Sequence, residues 1–168
     1  MYITKSPEVA RIAEDAGVDW IFVDMEFIGK DSRQGGLDTV QNHHTVNDVK
    51  NIKASVNKAK VLVRVNPIHE ALPNYPSSKD EIDDVIVAGA DIVMLPFFKT
   101  VEEVKQFINY VNGRAKTLLL VETIEATNLI DEILEVPGID MIHLGLKNAE
   151  GPIYLYDGTQ LTEIGHLH

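Results

Sequence analysis

Residues 16–26 read AGVDWIFVDME, and this stretch decides the fold. A glycine closes a helix, an apolar residue and an aspartate follow, and a short apolar run ends on Asp24 and Glu26. A run this short and this continuous in apolar residues reads as a strand buried on both faces, as in a parallel sheet. The same junction recurs as AGAD at 88–91 and PGID at 137–140. One helix-to-strand turn used repeatedly implies parallel strands joined by right-handed crossovers.

Working outward, four more apolar runs carry polar or backbone-special endings. They are Val61–Asn66 (VLVRVN), Ile92–Pro96 (IVMLP), Leu118–Glu122 (LLLVE) and Met141–Gly145 (MIHLG). Met1–Thr4 completes the set as a short first strand. The helices between them carry start and stop signals. Ser6 caps a helix with Pro7 at its first position, and Thr45 opens a second. Ser78 with Glu81 reads as a capping box on a third that stops near Gly89. Thr100 with Glu103 opens a fourth that runs to Asn112–Gly113. Thr123 starts one last helix, with Leu129, Ile130, Ile133 and Leu134 on one face. Two longer polar stretches interrupt the rhythm, Ile28–His44 and the three-proline segment Pro67–Ser77. After Asn148 the pattern changes: Ile153–Tyr156 and Thr159–Ile164 flank Asp157–Gly158, the signature of a hairpin with a type I′ turn.

The C-terminal ends of parallel strands form the active face of such folds. Asp24, Glu26, Arg64 and Glu122 therefore converge on one mouth. Three carboxylates around one guanidinium suit a divalent metal holding a small anionic substrate. Asp24 and Glu26 alternate on one strand face, and like charges side by side call for a cation between them. Each residue also has a plainer reading. Arg64 can neutralise Asp24 or Glu26 as an ion pair, Glu122 can serve the helix that Thr123 starts, and His143 can be a packed, hydrogen-bonded core histidine.

The net charge of −11 over 168 residues argues against nucleic acid or an anionic membrane as the main partner. The chain has no cysteine, which excludes disulfides and thiolate sites and fits the cytoplasm. No apolar stretch approaches the ~20 residues a spanning helix needs, and the N-terminus lacks the layout of a signal peptide.

The ordered pieces AGVDWIFVDME, VLVRVN, GADIVMLPFFKTVEEVKQFI and LLLVETIEATNLIDEILEVPGIDMIHLG resemble the HpcH/HpaI aldolase family, metal-dependent pyruvate aldolases related to the citrate lyase β subunit. The resemblance implies a TIM-type (β/α)8 barrel and a divalent cation, Mg²⁺ or Mn²⁺, held by Glu122. It makes Arg64 the group that grips a pyruvate carboxylate, and it sets Asp24 and Glu26 beside the metal. Pro96 and Gly145 would line the substrate pocket. Three positions depart from the pattern. Phe27 follows Glu26 where a histidine base is common, leaving His43 or His44 to replace it. Asn148 stands where the second metal-ligand aspartate would be. The chain is also shorter than the ~250 residues typical of such a barrel.

The expected fold is α/β: an incomplete barrel of about six parallel strands over residues 1–148, with a divergent hairpin-like tail over 149–168. It reads as a truncated, rearranged or engineered barrel portion. Unpaired sheet edges predict a homo-oligomer, most simply a dimer. The expected function is carbon–carbon lysis on a 2-oxo acid. The alternatives are a non-catalytic remnant or scaffold that has lost the site, and a lyase of acyl-CoA thioesters, for which no basic cluster is present.

Overall fold

The computed structural model describes residues 1–28, 44–145, 152–156 and 161–166, the last two stretches as backbone. Six strands run parallel in chain order: β1 (Tyr2–Ile3), β2 (Trp20–Asp24), β3 (Lys60–Arg64), β4 (Ile92–Leu95), β5 (Lys116–Val121) and β6 (Met141–Leu144). Two antiparallel strands extend the sheet beyond β6, namely β7 (Pro152–Tyr156) and β8 (Leu161–His166). Helices α1 (Pro7–Asp15), α2 (Val46–Ser55), α3 (Ser78–Ala88) and α4 (Val101–Val111) connect the parallel strands, followed by α5 (Ile124–Asn128) and α6 (Ile130–Leu134). This is an incomplete α/β barrel. The hairpin pairing of β7 with β8 matches expectation, while the Asp157–Gly158 turn lies outside the described residues.

The repeated junction has a physical basis. Gly17, Gly89 and Gly138 all adopt positive φ, at 89°, 108° and 97°, so each helix-to-strand junction passes through a conformation in which a side chain would be strained. The aspartate two residues on then bonds the neighbouring strand. Asp91 Oδ2 accepts from Val61 N at 2.8 Å, and Asp140 Oδ2 accepts from Thr117 N at 2.9 Å. Each junction thus turns the chain and sets the register of the next strand.

Side chains alternate along the strands and form two apolar layers. One set, including Ile21, Val23, Val61, Val63, Val93, Leu119 and Ile142, packs with helix residues such as Ala10, Val49, Ile82 and Phe107. The opposite set, Phe22, Leu62, Ile92, Met94, Leu118, Leu120 and Met141, forms a cluster of its own inside the curl of the sheet. Asp24, Arg64, Pro96, Glu122 and Gly145 continue this inner parity toward the C-terminal strand ends. The inner cluster is therefore the floor on which the mouth stands.

Two local expectations are corrected. The cap of α3 is Ser77, whose Oγ accepts from Asp80 N at 3.3 Å; Ser78 is already helical, and Glu81 turns into the core at 1 % exposure. The last helix is two short ones broken at Leu129. Thr127 Oγ1 bonds back to Thr123 O at 3.0 Å, an acceptor it shares with its own backbone N–H.

Candidate active site

Strand register brings the first pair together. Asp24 and Arg64 are partners across β2 and β3. Both project from the inner face, so their side chains meet directly. Arg64 Nε donates to Asp24 Oδ1 and Nη2 to Oδ2, both at 2.8 Å, a two-pronged charge-assisted pair. Nη1 lies 3.3 Å from Glu26 Oε2. Glu26 is tied back as well, its backbone N–H donating to Asp24 Oδ1 at 3.2 Å. The guanidinium also stands 5.6 Å from the Phe22 ring centroid, a cation–π contact.

Asp24 and Glu26 are 6 % and 4 % exposed, and Arg64 sets one cation against both buried carboxylates. Burial pulls the Arg64 pKa down, but the Asp24 hydrogen bonds and the charges of Asp24, Glu26 and Glu122 outweigh it and raise it above the ordinary arginine range. Arg64 is thus permanently charged. The influence of Glu122 on it places that carboxylate at the same mouth.

The rim is built by β4, β5 and β6. Phe97, just past buried Pro96, adopts φ 49°, a left-handed conformation that costs a non-glycine residue on the order of 1 kcal/mol. In this conformation its N–H reaches Glu122 Oε1 at 3.0 Å. The helix end itself is served by Thr123, whose Oγ1 accepts from Ala126 N at 3.0 Å and donates to Phe98 O at 2.8 Å. Gly145 donates its N–H to Val121 O at 3.0 Å. A Cβ there would sit 3.0 Å from Leu120 Cδ1 and 3.3 Å from Glu122 Cβ, so a side chain at this position would press on Leu120 and on the Glu122 stem.

His44 is buried, and its Nδ1 accepts from Asp24 N at 3.0 Å. That nitrogen therefore carries no proton, and any acid–base role falls to Nε2. His143 lies on the inner face of β6 at 1 % exposure. His43 and Asn148 lie outside the described residues. Among the described residues no three His, Asp or Glu side chains group as a metal set. The oxygen donors at the mouth suit a hard cation in kind. In number the described residues fall short, because Asp24 and Glu26 are engaged with Arg64.

Sequence reasoning overlooked a buried network beneath the rim. Asn66, 0 % exposed, follows Arg64 by two residues and bonds both Glu81 and the chain after Glu26. Burial raises the Glu81 pKa against the opposing hydrogen bonds of Tyr75 and Asn66. Burial also raises that of Tyr75, followed by the charge of Glu81. A polar residue ending the VRVN run is the available signal, whereas the Ser78–Glu81 spacing points equally to a helix cap.

The chain matches the family model described as HpcH/HpaI aldolase/citrate lyase over residues 2–149. It is similar to the structure of an HpcH/HpaI aldolase from Desulfitobacterium hafniense DCB-2, with 17 % identity and TM-score 0.60, covering 84 % of this chain and 58 % of that one. It is also similar to an HpcH/HpaI aldolase/citrate lyase family protein from Burkholderia cenocepacia J2315, with 16 % identity and TM-score 0.62, covering 83 % and 60 %. Macrophomate synthase shares 16 % identity at TM-score 0.55, covering 82 % and 51 %. The chain thus spans 51–60 % of the length of these structures, and the likeness is one of fold. Among proteins with curated descriptions, none matches the sequence. No helix among the described residues is long and apolar enough to cross a membrane.

Proposed function

The chain belongs to the HpcH/HpaI aldolase/citrate lyase family, and we propose that it is a carbon–carbon lyase of the class II aldolase type acting on a 2-oxo acid such as pyruvate. The observation that carries this reading is the placement of Arg64 at the strand ends among Asp24, Glu26 and Glu122. An arginine has five N–H donors. Asp24 engages one edge of the guanidinium and fixes its plane, and the outer end is the part offered to a substrate carboxylate. Glu26 Oε2, beside Nη1, is the group that would hold or pass a proton, with His44 Nε2 as the other candidate. Pro96 and Gly145 would close the pocket on either side of Glu122.

Glu122, together with Asn148, would hold Mg²⁺ or Mn²⁺. A bound divalent cation supplies Lewis-acid stabilisation of the charge that develops on the 2-oxo oxygen. We also propose that the protein acts in the cytoplasm as a homodimer.

A second reading, a non-catalytic remnant of the barrel, is favoured by one observation. Asp24 already satisfies the side-on edge of Arg64, which is what a purely structural ion pair would do. Calorimetric titration of Mn²⁺ in the presence of pyruvate separates the two. The lyase reading expects saturable binding that Glu122→Gln weakens. Heats indistinguishable between the two proteins would favour the remnant.

A further inference from the structure

The last register pair of β2 with β3 is Asp24 with Arg64, followed only by the bond from Met25 N to Arg64 O at 3.0 Å. Beyond it, the chain that carries Glu26 leaves the sheet. One side chain takes over the work of the ladder there. Asn66 Oδ1 accepts from both Phe27 N and Ile28 N at 2.9 Å, and its Nδ2 faces Met25 O at 3.4 Å. Three peptide groups flanking Glu26 thus hang on a single buried amide.

That amide works in one orientation only. Its Nδ2 donates to Glu81 Oε1 at 2.9 Å and approaches Tyr75 Oη at 3.2 Å, and its own backbone N–H points at the same carboxylate at 3.2 Å. An ionised carboxylate only accepts. Flipping the amide would set Oδ1 against Glu81 and the amino group against two N–H donors. Ionised Glu81, buried at 1 % exposure, therefore acts as a polarity key. Tyr75 donates to Glu81 Oε1 at 2.9 Å, and its ring meets Phe27 edge-on at 4.7 Å. The three-proline segment thereby braces the residue next to Glu26.

We propose that Asn66 is a positioning residue for the mouth, holding Glu26 against Arg64 through the backbone of residues 25–28, with Glu81 and Tyr75 fixing its amide. The proposal rests on the lyase reading for its effect on turnover, but its geometric part stands apart from it.

The test uses Asn66→Ala, Asn66→Asp and the double variant Asn66→Asp/Glu81→Gln. The double variant restores complementarity, because the Gln amino group can donate to the Asp carboxylate while Asp still accepts from Phe27 and Ile28. Two readouts are followed: amide hydrogen exchange at Phe27 and Ile28 by NMR, and kcat and KM for exchange of pyruvate methyl protons in heavy water. Both single variants are expected to speed amide exchange about tenfold and to lower kcat about tenfold with little change in KM, as expected when a reacting group is misplaced. The double variant should recover both to within about threefold. Absence of rescue, or unchanged kcat despite lost protection, overturns the proposal. If the wild type exchanges no methyl protons, the lyase reading fails; the amide readout then decides the proposal, supported by loss and rescue and refuted by unaltered protection in Asn66→Ala.

Discussion

Asp24 and Arg64 form a two-pronged ion pair across neighbouring parallel strands, with both N–H···O distances at 2.8 Å and the carboxylate 8 % and the guanidinium 19 % exposed. Removing Arg64 takes the guanidinium from two buried carboxylates, whereas removing Asp24 with it leaves that cost at Glu26 alone. Arg64→Met is therefore expected to cost about 3–5 kcal/mol of stability, and Asp24→Asn/Arg64→Met to recover part of it. Urea midpoints of the two variants check this. Equal loss in both would mean that the pair is not coupled.

Gly145 approaches the Glu122 stem closely, with 3.3 Å between its ideal Cβ and Glu122 Cβ. Gly145→Ala is expected to cost about 1–2 kcal/mol by overpacking. It should also weaken Mn²⁺ binding by about tenfold, the effect of displacing one ligand slightly. Thermal denaturation and calorimetry read the two effects separately. Unaltered Mn²⁺ binding would place the cation away from Glu122.

How far the sequence carried the reading is clearest at particular residues. The repeated glycine–aspartate junction sufficed for the parallel strand order, because one turn geometry recurs and each Gly φ is positive. The meeting of Asp24, Glu26 and Arg64 was legible from their places at the C-terminal ends of parallel strands, with strand period setting Asp24 and Glu26 on one face. Glu81 was not. A Ser-x-x-Glu spacing fits a capping box as well as it fits an inward turn of the same helix, and only Asn66 and Tyr75, placed by other elements, decide between them. The break at Leu129 was hidden for a similar reason: the apolar spacing runs straight through it.

Two glutamates should give opposite pH responses. Glu81 is held above its ordinary 4.5 by burial, so the folded state binds its proton more tightly than the unfolded chain. Its contribution is full below 4.5 and is lost as pH rises from there through the raised folded value. Glu81→Gln should therefore gain on the wild type as pH rises from 4.5 through the raised folded value. Glu14 is held below 4.5 by backbone N–H bonds from Ala59 and Lys58, with a further bond from Asn57. Its contribution is present above 4.5 and disappears as pH falls through the depressed folded value. Glu14→Gln should thus fall behind the wild type above 4.5 and converge with it in acid. Denaturant titrations at several pH values measure both, and parallel curves for the two variants would contradict the assignment.

Strand β1 pairs only with β2 among the described residues, and Tyr2 and Ile3 are 48 % and 45 % exposed. An edge of this kind invites pairing with a second copy. Light scattering is expected to give twice the 18.7 kDa chain mass. A mass of one chain at all concentrations would remove the dimer.

The mouth defined by Arg64, Glu26 and Glu122 is proposed to act on a 2-oxo acid. This is tested most directly by proton NMR of pyruvate in heavy water with Mg²⁺ or Mn²⁺ present. The account predicts that the wild-type protein speeds the loss of the methyl signal and that Glu122→Gln does not. A wild-type rate no greater than that of Glu122→Gln would contradict it.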